Sequence, residues 1–414
     1  MEEILNLLNP WWSDRWSEGS IPRRKYTQVL LSHLEDRLAG ILIGSRRVGK
    51  TTILHQVINL ILQKDIKPTH VLYVLLDHPK FSSYTLSQII EEYRRLNDLK
   101  RDTKIFIFLD EVQYSQNWEQ EVKALVDTER VKIYVSGSAS TLISQKKAFL
   151  TGRYFKQIVE PLSFAEFLSF KGIKIAKTEG YRYRNYLEEY LRIGGYPEYV
   201  LSQNPQYFAD LVEAVIFKDI VSLYGVRNPQ LVRDLLLLLS DRCGHQTSFT
   251  KLGKILSLST DTVREYIEYL KQTFLVTELP RFALSRNKQI YAAKKFYLND
   301  SGLLFNLVGR LNIGSSSEQI LFHALRQKYS QVFFYYENQF EVDFAVNVID
   351  RPVLIESKYE LGLNQEKIEG QLVAVAKQSK IKQVKIITKE KEEEHLKDGI
   401  ELSYIPLWKF LLSE

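Results

Sequence analysis

A single cysteine, Cys243, is the only thiol in 414 residues. It can close no internal disulfide and cannot build a cysteine-based zinc site. The seven histidines are scattered without metal-ligand spacing, so no structural metal is expected. Long apolar runs are missing too. Residues 105–109 and 235–239 are among the longest, far short of the ~20 residues of a membrane helix. No membrane partner is expected. The acidic opening Met1-Glu2-Glu3 leads into no long apolar core, so it does not read as a secretory signal, and the expected location is cytoplasmic. Neither internal repeats nor a low-complexity linker interrupts the chain.

What is present fits a globular protein of several domains. At 45% hydrophobic and 26% charged residues the chain is too apolar for global disorder. Its length exceeds what one core usually fills, which points to two to four domains. The formal charge of +6 permits an anionic partner without requiring one. Four basic clusters stand out: Arg23-Arg24-Lys25, Arg46-Arg47, Lys146-Lys147 and Lys294-Lys295. Each is expected to be solvated surface.

Residues 1–162 alternate short apolar runs with helical patterns. Runs at 39–43, 71–76, 105–109 and 131–135 read as buried parallel strands of an α/β sheet. After Pro161 the pattern turns helical, through 164–170, 183–191 and 207–223, with a turn at Gly194-Gly195-Tyr196-Pro197. Residues 228–290 read as a helix at 232–239, a short helix at 248–255, a third helix and a strand at 274–279. Ser259-Thr260-Asp261 caps the third helix, where Thr260 or Asp261 could accept from first-turn amides. Its Val263, Ile267 and Leu270 face inward. This order resembles a winged helix, although a packing module without DNA contacts has the same pattern. Residues 291–414 return to mixed α/β. Helices are expected at 317–328 and 365–377, and strands at 332–336, 340–348, 353–358 and 384–388.

Gly44-Ser45-Arg46-Arg47-Val48-Gly49-Lys50-Thr51 matches the phosphate-binding loop GxxxxGK[ST], between an apolar strand and a helix. The glycines let backbone amides close around phosphate oxygens, and the helix N-terminus favours the negative charge. Lys50 is expected to reach the β- and γ-phosphates of ATP and Thr51 to bind Mg²⁺, with Thr52 following in the nucleotide site. A second apolar strand delivers Asp110 and Glu111. Asp110 suits the Mg²⁺ shell, and Glu111 the polarisation of the attacking water. The strand at 131–135 runs into Ser136-Gly137-Ser138, where Ser136 and Ser138 could sense the γ-phosphate. Arg153 is the candidate for a trans-acting arginine or a sensor, with a structural arginine equally open.

Beyond the loop, the sequence carries Leu109-Asp110-Glu111-Val112-Gln113, Pro161-Leu162-Ser163-Phe164, Gly194-Gly195-Tyr196-Pro197-Glu198, Lys218-Asp219-Ile220 and Asn299-Asp300-Ser301-Gly302-Leu303. Together with Leu76-Asp77-His78-Pro79, Ser136-Gly137-Ser138 and Gly152-Arg153, these resemble the archaeal and bacterial AAA+ ATPases that carry a C-terminal restriction-endonuclease-like domain. The resemblance implies a P-loop AAA+ core (parallel sheet with flanking helices), a helical lid at 163–227, a winged helix at 228–290 and a nuclease-like α/β domain at 291–414. It also implies homo-oligomers, with a hexamer first among them.

The C-terminal residues hold a constellation of their own. Alternation along Phe340-Glu341-Val342-Asp343-Phe344 places Glu341 and Asp343 on one face. After a turn at Asp350-Arg351-Pro352, Glu356 and Lys358 share a face of the next strand. Asp, hairpin, Glu-x-Lys is the spacing of a PD-(D/E)XK nuclease core. There Asp343 and Glu356 would hold Mg²⁺, Lys358 would orient a water, and Glu318 would supply the upstream acid. The expected function is a Mg²⁺-dependent ATPase that couples hydrolysis to DNA processing, with nuclease activity attached. The alternative is an ATP-regulated switch or scaffold for a protein partner, with an inactive nuclease fold.

Overall fold

The computed structural model describes residues 1–14, 16–138, 152–175, 179–283, 285–337, 340–362 and 365–413. Lys146, Lys147 and Thr151 lie outside them. The chain divides into two compact units, Met1–Glu160 and Pro161–Glu414. Among the described residues no helix is long and apolar enough to cross a membrane.

The first unit is built on five strands: β1 (Ala39–Ile43), β2 (Val71–Leu75), β3 (Ile105–Asp110), β4 (Val131–Gly137) and β5 (Tyr154–Ile158). They stand in the order β2-β3-β4-β1-β5, and every pairing is parallel. β1 and β3 are buried along their whole length, as continuous apolar runs in a two-sided parallel sheet should be. β5 had no such signal. It is an edge strand, half-buried, with Lys156 and Gln157 interrupting its apolar residues. Helix α1 (Lys50–Leu62) follows β1 and buries Ile53, Leu54, Val57, Ile58 and Ile61, a stripe of helical period. Because the strands run parallel, the carboxyl ends of β1, β3 and β4 share one edge of the sheet.

In the second unit, helices Phe164–Phe170, Tyr181–Ile193, Pro197–Ser202 and Tyr207–Ala214 come first. Residues 207–223, expected as one helix, change character at Val215–Val221, a π-helical stretch. The motifs at 194–198 and 299–303 meet. Asp300 accepts from the Gly195 amide at 2.6 Å and from the Leu303 amide at 2.9 Å. A Cβ on Gly194 would stand 2.1 Å from Asp300 Oδ1, so only glycine permits this approach.

Next come α2 (Pro229–Asp241), α3 (Phe249–Leu256) and α4 (Thr260–Gln272), then the antiparallel pair β6 (Val276–Leu279) and β7 (Lys295–Leu298). The cap of α4 is Ser259, whose hydroxyl accepts from the Thr262 amide at 3.0 Å, rather than Thr260 or Asp261. Ser259 is the last residue with extended backbone, and the other two already lie inside the first turn. Val263, Ile267 and Leu270 are buried as expected. The strand expected from residue 274 starts at Val276, because Phe274 has a φ of 59°. The boundary expected after residue 290 falls between two strands that pair, β6 and β7.

After α5 (Ser301–Val308) and α6 (Ile313–Lys328), a six-stranded sheet forms. Its members are β8 (Val332–Glu337), β9 (Phe340–Val346), β10 (Val353–Ser357), β11 (Gln383–Thr388), β12 (Glu393–Lys397) and β13 (Ile400–Pro406), in the order β12-β13-β11-β10-β9-β8. β10, β11 and β13 run parallel to one another, and the remaining pairings are antiparallel. Helix α7 (Gln365–Gln378) lays Leu372, Val373 and Ala376 into a core with Val342, Leu354, Ile386 and Leu402.

Candidate nucleotide site and a buried carboxylate cluster

Gly44 leaves β1 so close to its neighbour that a Cβ there would stand 2.3 Å from the Val159 carbonyl oxygen. Gly49 opens α1 with a φ of 90°, and Arg47 adopts 61° in the turn between them. Ser45 and Val48 are buried, Arg46 is half-buried and Arg47 is exposed. The Lys50 ammonium lies over the loop's concave side, donating to the Gly44 and Ser45 carbonyls at 3.0 and 2.8 Å. Thr52 follows in the first turn of α1, half-buried.

At the end of β3 the buried Asp110 is a hub. Its Oδ2 accepts from the Thr51 hydroxyl at 2.6 Å and from the Tyr73 hydroxyl at 2.9 Å; its Oδ1 accepts from the Ser136 hydroxyl. Burial, with Asp110 adjacent, pushes the Tyr73 phenol far above its ordinary range, so Tyr73 acts only as a neutral donor. Glu111 sits in the left-handed region at φ 56°. Burial raises its carboxyl above the usual range against the pull of Lys50. Gln113 donates its amide to Glu111 and, at 3.2 Å, to the Ser138 hydroxyl.

Arg23 braces the loop from beneath. It is 2% exposed, and its two terminal nitrogens donate to Val48 O at 2.9 Å and Glu160 O at 3.0 Å. The expectation of solvated surface therefore fails for Arg23. Tyr73, Gln113 and Arg23 were missing from the sequence-derived site. Only Gln113 had a signal, two positions after Glu111 in the motif itself.

Arg153 is not part of this site. The Arg153 carbonyl accepts from the amide of Ala39 at the start of β1, the end of the sheet opposite the loop, and its Nε pairs with Asp127 at 2.6 Å. A sensor role within the same chain is excluded by that position.

The oxygens present fit nucleotide and magnesium. Thr51 and Asp110 offer a hydroxyl and a carboxylate, the hard ligands Mg²⁺ prefers, beside a loop whose glycines leave room for phosphate. Residues 36–168 match the family model of an AAA domain. The first unit has an AAA-type P-loop ATPase fold. Residues 184–316 match a domain of unknown function. An uncharacterized protein of Haemophilus influenzae is 24% identical over 95% of this chain and 99% of its own length. One of Methanocaldococcus jannaschii is 27% identical over 90% of this chain and 88% of its own. Among solved structures, a Walker-type ATPase of Pyrococcus abyssi aligns over 72% of this chain and 99% of that one, at 14% identity and a TM-score of 0.43. DnaA of Aquifex aeolicus, bound to AMPPCP, covers 64% and 92% at 15% identity and a TM-score of 0.28.

In the second unit, β9 and β10 bring Asp343 beside Glu356, and α6 adds Glu318. The Asp343 amide donates to Glu356 at 3.1 Å, and the Ser357 amide returns a bond to Asp343 at 3.0 Å. Lys358 pairs with Glu356 at 2.7 Å. At the centre stands a residue sequence reasoning assigned to the surface, Lys295 of β7. It is 1% exposed, and its Nζ lies 3.0 Å from Glu318, 2.6 Å from Glu341 and 3.1 Å from Asp343. Tyr297, two residues along the strand, donates to Glu318 at 2.6 Å. Burial drives the Glu318 and Glu356 carboxyls well up, helped by Asp343. Burial opposes the charge on Lys295, but Asp343, Glu318 and Glu341 outweigh it and hold the ammonium protonated. Among the described residues no three His, Cys, Asp or Glu side chains come together as a metal-holding group. Lys294 is also buried, at 7% exposed, so the solvated-surface expectation fails for both residues of that cluster.

Proposed function

We propose that the chain is a Mg²⁺-dependent ATP hydrolase of the AAA+ class whose nucleotide cycle works as a conformational switch for a partner of the C-terminal unit. One observation carries this reading: Asp110 bonded to Thr51 and Ser136, with Glu111 beside it held by Gln113. In this reading Lys50 and the loop amides bind the phosphates, and Thr51 and Asp110 hold Mg²⁺, which would neutralise phosphate charge when bound. Glu111 orients the attacking water, its carboxyl raised above the usual range by burial against the pull of Lys50. Gln113 restrains Glu111, so full activity waits on a rearrangement that frees it.

DNA processing is the second reading. In its favour, α2, α3 and α4 followed by the β6–β7 pair read as a winged helix. Against it, the outer face of α4 carries exposed Asp261, Glu265 and Glu268 against Arg264 and half-buried Lys271. A net negative face draws little from the phosphate attraction that dominates DNA affinity. The test is ATP turnover by the homo-oligomer, first among candidates a hexamer, with and without branched, single- and double-stranded DNA. Turnover abolished by Lys50→Ala and indifferent to every DNA supports the switch. DNA stimulation of turnover, weakening steeply with salt, would overturn it in favour of DNA processing.

A further inference from the structure

Glu318, Asp343, Glu356 and Lys358 have the residue types of a metal-dependent nuclease centre, yet their surroundings do not fit a divalent ion. We infer that Lys295 is the resident cation of this cluster, its ammonium held among the carboxylates of Glu318, Glu341 and Asp343. Three ammonium hydrogens face three carboxylates, Glu318, Glu341 and Asp343, all within 3.1 Å. Most of the remaining carboxylate oxygens are engaged as well. Glu341 takes the Gln246 amide at 2.6 Å, Asp343 takes the Ser357 amide, and Glu356 takes Lys358 on one oxygen and the Asp343 amide on the other. A divalent ion needs several of these oxygens at once, at distances near 2.1 Å. It would also stand beside a second positive charge that has nowhere to go.

Lys295 is fixed by its backbone as well as by its charge. It pairs with Leu279 across the β6–β7 ladder, and Lys294 bridges to Thr247. Lys358 differs: its side chain is 37% exposed and meets Glu356 alone among these carboxylates, whereas that of Lys295 is 1% exposed and meets three. The buried lysine is therefore the cation that holds the carboxylates together.

The test is Mn²⁺ binding to the full chain without nucleotide, followed by electron paramagnetic resonance, in a Thr51→Ala background that weakens the P-loop metal site equally in every variant. Wild type and Asp343→Asn should titrate identically. Lys295→Met should acquire a Mn²⁺ site at least tenfold tighter than wild type, lost again when Asp343→Asn is added. Mn²⁺ bound by the wild-type cluster and lost with Asp343→Asn overturns the inference. So does a Lys295→Met protein that is folded by circular dichroism yet binds no more Mn²⁺ than wild type. Should Lys295→Met not fold, the comparison of wild type with Asp343→Asn decides alone. ATP turnover is not the readout, so this result and that of the switch reading are independent.

Discussion

Gln113 bonds Glu111 and Ser138 with one side-chain amide, tying the residue proposed to orient water to the end of the neighbouring strand. Glu111 is held there in a left-handed conformation, which costs a non-glycine residue on the order of 1 kcal/mol. The Glu111 backbone is held separately, its amide donating to Asp110 at 3.1 Å and Ser136 at 3.4 Å, so what Gln113 restrains is the carboxylate. Gln113→Ala should raise basal ATP turnover two- to fivefold and reduce any stimulation by a partner. Steady-state phosphate release measures both, and a turnover that falls with the substitution would show that Gln113 aids the chemistry directly.

Asp110→Asn should abolish turnover, by at least about 100-fold, while Thr51→Ala should raise the Mg²⁺ concentration needed for half-maximal rate. Both substitutions touch the same 2.6 Å hydrogen bond, but only one removes the charge. A Mg²⁺ titration of initial rates separates them. Equal Mg²⁺ dependence in Thr51→Ala and wild type would remove Thr51 from the metal's ligands.

Arg23→Ala leaves the Val48 and Glu160 carbonyls without their buried donor, a loss of roughly 2–4 kcal/mol. Chemical denaturation should show that loss, and ATP binding should weaken because Val48 belongs to the loop. Arg24→Ala, the exposed neighbour, is the control and should change neither.

Arg153 and Asp127 form an exposed pair, worth under about 1 kcal/mol. Arg153→Ala and Asp127→Ala should both leave turnover within about twofold of wild type. A loss of turnover confined to Arg153→Ala, in a protein of unchanged oligomeric state, would instead make it a trans-acting arginine.

His323 titrates with a defined sign. Burial lowers it to about 4, and one ring nitrogen contacts the Leu298 carbonyl at 2.7 Å. The unfolded chain, near 6.5, binds the proton first, so its contribution is whole above pH 6.5 and is lost between 6.5 and 4. The loss is roughly 3 kcal/mol at most. Asp300, raised by burial to about 6, acts oppositely: it costs stability above pH 6 and recovers it as pH falls towards 4. His323→Leu should therefore gain on wild type as the pH drops from 7 to 4, in the unfolding transition of residues 161–414. A constant difference across that range would show that His323 is not buried neutral.

The nucleotide site was legible because its chemistry is local. The phosphate loop and the Asp110-Glu111 pair each lie within a few consecutive residues, between apolar runs that could only be buried strands. Arg23 was not legible, since its partners, Val48 and Glu160, lie 25 and 137 residues away. β12 was passed over because Glu393–Lys397 is almost wholly polar and marks no strand until it pairs with β13. Lys295 was misread for a related reason. Beside Lys294 it looks like a surface pair, and only the unrecognised strand Lys295–Leu298 turns it and Tyr297 toward the carboxylates.

One guanidinium joins the phosphate loop at Val48 to Glu160, the last residue of the first unit. The Val159 amide also donates to Ile43, the residue before the loop, at 2.7 Å. The place where the chain leaves this unit is thus mechanically continuous with the loop that meets phosphate. A shift of the loop by a fraction of an ångström on nucleotide arrival would be carried to the exit by two short covalent segments and a rigid planar cation, with no intervening joint to absorb it.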